Sequence, residues 1–449
     1  MTPNVRTMAL PPGPRLPAIA QTLWYVSRPN EFFEWLGERY GDAFTIRTAA
    51  FGTEVCVARP EAIKDVFTGD PETLRAGEAN AILAPVVGHN SVLLLDGAAH
   101  MRQRRLMMPP FHGERMSAYT AIMVEETERA LARSERGDKI DLRPVAQRIT
   151  LNVILRAVFG ADDATEQRAL ADALRDLLDL GTSPLASIFN MAPALQRDLG
   201  PLTPWAKFLA KRQKADDLIY ALIARRRGAA PGSDVLSMLL QAKDEDGTPM
   251  TDVELRDELM TLLVAGHETT ATTLCWLFEE LLQRPDVTAQ IDAELADVTG
   301  GAPLEPAHAP KLRVLDAAIK EALRLHPVIP AVGRKLKAPT RIGGWDLPAG
   351  VMVVPVIHLT HRLPDLYPDP ERFRIDRFLD KKPDPYAWLP FGGSVRRCLG
   401  MAFALHELKI VTATALARRK LRLARPAKTR TVLRGITHAP AGSTELVVQ

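Results

Sequence analysis

One stretch constrains the fold more than any other: Thr251–Arg284, about 34 residues that read as a single helix. At ~1.5 Å rise per residue it would run roughly 50 Å, the width of a whole domain. Its centre, Leu259-Met260-Thr261-Leu262-Leu263-Val264-Ala265-Gly266, is apolar nearly all round. That is the mark of a helix buried on every side, so the rest of the chain must be built around it. Polar residues come together in its middle, as His267, Glu268, Thr269 and Thr270. Buried polar groups need partners or a task.

Around this axis the pattern is mostly helical, with a smaller β-rich part, an α+β arrangement. Asn30–Tyr40 reads as a helix started by Asn30 and stopped by Gly41. Ala43–Thr48 and Thr53–Ala58 alternate as a hairpin does, and helical spacing dominates from about Pro60 to Arg324. Short strands return at Val328–Lys337, Thr340–Trp345, Val351–Ile357 and in the C-terminal tail. No Gly/Ser linker or charge block divides the 449 residues. The chain therefore reads as one domain over 1–449, with a Pro-rich lead-in over about the first 20 residues.

The 57 basic and 54 acidic residues leave a net charge of only +3, which argues against nucleic acid as the main partner. Three cysteines are no disulfide framework and suggest a reducing compartment. The N-terminus has no apolar core suited to a signal peptide. No run approaches the ~18 apolar residues of a membrane span. The expectation is a soluble, cytoplasmic protein.

Cys398 stands apart from the other two cysteines. Cys56 sits in an alternating strand and Cys275 in an apolar helix, the usual place of an inert thiol. Cys398 lies in Pro390-Phe391-Gly392-Gly393-Ser394-Val395-Arg396-Arg397-Cys398-Leu399-Gly400, just before a helical run over Met401–Arg418. A helix N-terminus and neighbouring arginines both favour a thiolate, the form that binds metal. Glycine lets a flat ligand come close, and a soft sulfur suits iron.

Three further groups stand out. In the long helix, Gly266 and the back-bonding Thr269 could open a groove in which Glu268 and Thr269 relay protons, although a plain packing role fits these residues equally well. Glu321 and Arg324, three apart, share a helix face. His100 and Arg104, four apart, could grip a carboxylate.

Taken in chain order with Pro370-Glu371-Arg372-Phe373 and the Cys398 loop, these motifs resemble those of the cytochrome P450 superfamily, the haem-thiolate monooxygenases of soluble bacterial type. The likeness runs over nearly the whole chain. Ser394 departs from it, standing where the family usually has glycine. The resemblance implies a haem b held between the long helix and the helix after the Cys loop, with Cys398 as the metal ligand. It places Ala265, Gly266, Phe391 and Gly400 against the haem, and His100, Arg104, Arg334 and Arg396 at its propionates. Glu268 and Thr269 would be the catalytic proton relay. Glu321, Arg324 and Arg372 would form a buried structural triad. The substrate pocket would draw on Ile82, Leu83, Val86, Val87, Leu185, Ile188, Val264, Ala265, Ile329, Val332 and Ile436.

The implied activity is hydroxylation or epoxidation of an apolar small molecule such as a fatty acid, terpenoid, steroid or polyketide. O2 would be the oxidant. NAD(P)H electrons would come through a ferredoxin or flavodoxin and its reductase, docking on a face with Arg102, Arg105, Arg397 and Lys409, and the enzyme would be a monomer. A peroxygenase is a second reading, although that kind typically lacks the acid–alcohol pair. A non-catalytic haem sensor or carrier is a third.

Overall fold

The computed structural model describes residues 9–111, 115–132, 134–160, 164–181, 200, 203–230, 232–426 and 430–449. The long helix is present as Asp252–Leu282. Its start is fixed by a capping box: Thr251 Oγ1 accepts from Glu254 N at 3.2 Å, while Glu254 Oε2 accepts from Thr251 N at 2.8 Å. The helix packs most extensively on Leu142–Phe159, and also touches Pro204–Arg227, Arg313–Leu325 and Met401–Arg418. One apolar core joins these helices, with Leu255, Leu259, Met260, Leu274 and Phe278 at its middle. The helix is thus buried along most of its length, as its all-round apolar pattern requires.

The β-rich part is a five-stranded sheet in the spatial order Ala43–Thr48, Gly52–Val57, Met352–Pro355, Arg334–Leu336, Leu74–Arg75. The first two strands form the expected hairpin, with Ala43 opposite Val57 and Thr48 opposite Gly52. Gly52–Val57 then runs parallel to Met352–Pro355, with Glu54 beside Met352. Smaller cores on either side of this sheet contain Val55, Ile63, Phe67 and Val353, and Phe32, Phe44 and Val354.

Three expectations are corrected. The first helix of this region spans Pro29–Tyr40 and has no side-chain cap, because Pro29 opens it with a preset φ. The strand expected over Val328–Lys337 shrinks to Arg334–Leu336, since Pro330 has no N–H to give a ladder. Thr340–Trp345 divides into two short strands, Thr340–Ile342 and Trp345–Leu347. Among the described residues no helix is long and apolar enough to cross a membrane.

Candidate functional site

Cys398 sits at the close of a tight turn. Its N–H donates to Phe391 O at 3.0 Å, and Arg397 N donates to Ser394 O at 3.1 Å. Ser394 holds this turn with a φ of 54°, a left-handed geometry that costs a residue bearing a Cβ about 1–2 kcal/mol. The turn expected of glycine is therefore kept, under strain. Gly393 has no such freedom to spare, because a Cβ there would overlap the Phe67 ring. Phe391 packs edge-on against Trp388, with ring centroids 6.0 Å apart.

The Cys398 thiol is open to solvent, yet burial pushes its pKa up, against the Gly400 N–H and the Arg104 charge that pull it down. The Gly400 N–H and the Arg104 charge are the two neighbours that favour a thiolate here, against the cost of burial. A Cβ on Gly400 would sit 4.0 Å from Sγ.

Beside the thiol is a cluster of cations. Arg104 Nη1 donates to Arg397 O at 2.7 Å. Arg396 Nη2 meets Asp96 Oδ1 at 2.6 Å, and its Nη1 donates to Val92 O at 3.1 Å. Arg334, at the end of its strand, is buried over the Phe67 ring at 5.5 Å. Its Nη1 donates to Gly333 O at 2.8 Å. Burial, and then the charge of Arg396, depress the Arg334 pKa to about 10. Burial, with Arg396 and Arg104, pulls His100 down to about 4, leaving a neutral ring. These groups repel one another, with Asp96 as the acid that opposes them. Such a cluster suits a ligand carrying carboxylates.

On the long helix the residues divide by face. Ala265 is exposed although its helix is otherwise deeply packed, and Val264 and Thr269 are half-exposed. Thr269 Oγ1 donates to Ala265 O at 2.6 Å, and Thr150 Oγ1 donates to His267 O at 3.1 Å. Two carbonyls of the same turn, those of Ala265 and His267, thus carry side-chain bonds. Gly266 faces the other way: a Cβ there would meet Ile154 Cδ1 at 3.4 Å. Its lack of a side chain lets the long helix lie close to Ile154. Glu268 also turns toward the neighbouring helix, where Oε1 accepts from Arg143 Nη2 at 2.5 Å and Oε2 from Gln147 Nε2 at 2.9 Å.

Glu321 and Arg324 form a fully buried bidentate pair, at 2.7 and 2.8 Å. The expected third member is corrected. Arg372 is exposed and offers only its carbonyl, 3.3 Å from Arg324 Nη2. Arg377 takes the place instead, with Nε 3.3 Å from Glu321 Oε1. The short turn Ile375–Arg377 points that side chain inward. Arg324 Nη1 also donates to His361 O at 2.8 Å, and His361 Nε2 accepts from Leu389 N at 2.8 Å. The ion pair is therefore wired to the residues that enter the Cys398 turn.

Of the expected pocket residues, Ile82, Leu83, Val86, Val264, Ile329 and Val332 are half-exposed, Val87 is buried, and Ile436 is 48% exposed. The Ala84–Val87 turn packs on the long helix. The hairpin before and after Ile436 is tied to the Val328 segment by His438 N donating to Val328 O at 2.8 Å. Leu185 and Ile188 lie outside the described residues. The basic docking face is largely neutralised. Arg102 pairs with Asp244 and Glu254 at 2.6 and 2.7 Å, Arg105 with Glu245, and Lys409 with Asp316 at 2.8 Å. Arg397 is exposed and has no ion pair among the described residues.

These features fit a haem. Among the described residues no three His, Cys, Asp or Glu side chains gather to hold a bare metal ion. A single thiolate can hold iron only when a chelate brings the other ligands. The thiol, the small exposed Ala265 and the cation cluster would suit its metal, its flat face and its acid groups.

Comparisons with known proteins agree. A family model described as Cytochrome P450 matches residues 10–441. The chain is 42% identical over 418 residues to a putative cytochrome P450 135B1 of Mycobacterium tuberculosis, covering 92% of this chain and 86% of that one. It is 38% identical to the putative cytochrome P450 135A1 of the same organism, covering 97% and 94%. Its fold matches a retinoic acid-bound cyanobacterial CYP120A1 with a TM-score of 0.85 at 25% identity, over 99% of this chain and 100% of that one.

Proposed function

We propose, from the premise that this chain belongs to the cytochrome P450 family, that it is a monooxygenase which hydroxylates or epoxidises an apolar small molecule with electrons from separate partner proteins. The observation that carries this reading is Cys398, an enclosed but reachable thiol beside a cation cluster. Haem, when bound, supplies the activation of O2, a chemistry that a thiolate ligand promotes.

The chain's own residues do the rest. Cys398 would hold the iron as thiolate, with Phe391 and Gly400 on its flanks. Neutral His100 and the guanidinium groups of Arg104, Arg334 and Arg396 would bind the propionates, which relieve the mutual repulsion of the cluster. Thr269 holds a hydroxyl proton at Ala265 O, on the exposed side of the long helix. Glu268 would supply protons to that side by leaving Arg143 and Gln147. Ala265 and Val264 would exclude water from the substrate's approach.

The half-exposed aliphatic side chains of Ile82, Leu83, Val86, Ile329 and Val332 support an apolar substrate: a fatty acid, terpenoid, steroid or polyketide. The retinoic acid bound by a similar structure is an apolar ligand of that kind. The electron donor is a ferredoxin or flavodoxin, for which Arg397, exposed and without an ion pair among the described residues, offers a charge near the site. The protein acts as a cytoplasmic monomer built as one domain.

The test is a spin-state screen over those compound classes, then turnover of the hits with a ferredoxin, its reductase, NADPH and labelled O2. One labelled oxygen in the product is expected. Product from peroxide alone would make the protein a peroxygenase, and haem without turnover would make it a carrier. In the same assay Thr269→Ala keeps haem and much of the NADPH consumption, but product per NADPH falls about tenfold or more, since positioned proton transfer is worth ~10²–10⁴ in rate. The lost electrons appear as hydrogen peroxide. Unchanged coupling in Thr269→Ala and Glu268→Gln would reduce both residues to helix packing.

A further inference from the structure

Between Gly88 and Asp96, the three consecutive residues Asn90, Ser91 and Val92 are each hydrogen-bonded to the long helix. Asp257 Oδ2 accepts from Asn90 N at 2.8 Å and from Asn90 Nδ2 at 3.0 Å. Its Oδ1 accepts from Arg256 Nη1 at 2.8 Å, and buried Arg256 is held in turn by Asp216. Thr261 Oγ1 lies 2.7 Å from Ser91 Oγ. Gly88 has a φ of 86°, and a Cβ there would overlap the Asp257 carboxylate. Glycine is what lets the acid close on the backbone.

Val92 is held from two sides. Its N–H donates to Glu258 Oε1 at 2.8 Å, and its carbonyl accepts from Arg396 Nη1 at 3.1 Å. Arg396 also donates to Leu95 O and to Asp96. One peptide segment is thus fixed between the long helix and the Cys398 turn. The preceding residues differ. Ala81–Val87 carries no polar side chain and forms only two single turns, Ala81–Leu83 and Ala84–Val87. Its hold is apolar contact and the backbone bonds of its own turns, Leu83 N to Asn80 O and Gly88 N to Ala84 O, whereas moving Val92 strands a fully buried carboxyl.

We propose that Glu258 is a positioning residue which, with Arg396, clamps Val92, so that Gly88–Asp96 stays fixed while Ala81–Val87 moves to admit the substrate. This rests on the reading of the site as a haem pocket. Burial holds the Glu258 carboxyl well above the usual range. Glutamine copies its shape and keeps an oxygen that can accept from Val92 N.

The test is hydrogen–deuterium exchange on the haem-loaded enzyme. In the unmodified protein 81–87 exchanges faster than 88–96. Glu258→Ala speeds exchange of 88–96 by about tenfold, the scale of one buried hydrogen bond, while Glu258→Gln keeps the protection. Asn90→Ala gives a smaller acceleration and carries the test should Glu258→Ala fail to fold. Dissociation of 4-phenylimidazole, an iron-binding probe, becomes several-fold faster in Glu258→Ala only, with the ferrous–CO band unchanged. Unchanged exchange of 88–96 in Glu258→Ala and Asn90→Ala overturns the clamp. Acceleration spread over the whole protein does so as well, since Glu258 would then serve general stability. Absence of a thiolate–haem CO band in the unmodified protein would instead sink the haem reading and leave the exchange data to judge the clamp.

Discussion

Cys398→Ala abolishes the strongly red-shifted Soret band of the ferrous–CO complex, and product formation falls below detection. The loss is complete because, in the proposed reading, the Cys398 sulfur is the protein's one bond to the iron, and among the described residues no cluster of three or more His, Cys, Asp or Glu side chains offers the metal another seat. The fold survives. The side chain is open to solvent, and the bond that closes the turn runs from the backbone N–H to Phe391 O. Substitutions away from buried contacts usually change stability by less than about 0.5 kcal/mol. The apoprotein of the variant therefore melts close to the unmodified apoprotein. Circular dichroism and the CO difference spectrum, measured on one preparation, check both halves. A persisting red-shifted band would mean that another residue ligates the metal.

Arg324→Ala costs stability. The Glu321–Arg324 pair is fully buried, and removing one partner from such a pair typically costs ~3–5 kcal/mol, because the remaining charge has lost both water and its counterion. The loss has a second route. Arg324 also donates to His361 O, and His361 Nε2 accepts from Leu389 N at the entrance to the Cys398 turn. The variant should yield little soluble protein and retain haem poorly. Arg377→Ala should lie between this and the unmodified protein, since Arg374 N still donates to Glu321 Oε1 at 2.8 Å. Arg372→Ala should be near neutral, within about 0.5 kcal/mol, because that side chain is exposed. Melting temperature and haem content across the three variants give the ranking. An Arg372→Ala loss larger than that of Arg377→Ala would reverse the assignment.

The choice between those two arginines shows where sequence reasoning runs out. Arg-Phe occurs twice, at Arg372-Phe373 and Arg377-Phe378, and both phenylalanines are buried. Spacing cannot tell which arginine turns inward, because that depends on a single turn at Ile375–Arg377. Glu268 is a similar case. Its position beside Thr269 was legible, but its partner Arg143 lies 125 residues away on another helix. The docking arginines were counted correctly as charges, yet their acids come from distant segments such as Asp244 and Glu245. Local features fared better. The long helix, the hairpin, the Thr269 back-bond and the Cys398 turn are each decided by neighbours in sequence. The Gly88–Asp96 clamp was invisible, since it joins backbone groups to side chains far along the chain.

The five-stranded sheet has a consequence for how the protein is made. Gly52–Val57 has its parallel partner at Met352–Pro355, about 300 residues later, with Glu54 beside Met352. The early hairpin can form on its own, but its outer edge must wait. At ~5–20 residues per second a ribosome takes roughly 15–60 s to deliver that partner. Through this interval Val55 and Val57 lack the strand that covers their edge, and exposed strand edges invite pairing with other chains. Newly made copies are therefore most prone to stick together late in synthesis, just before the last quarter of the chain emerges.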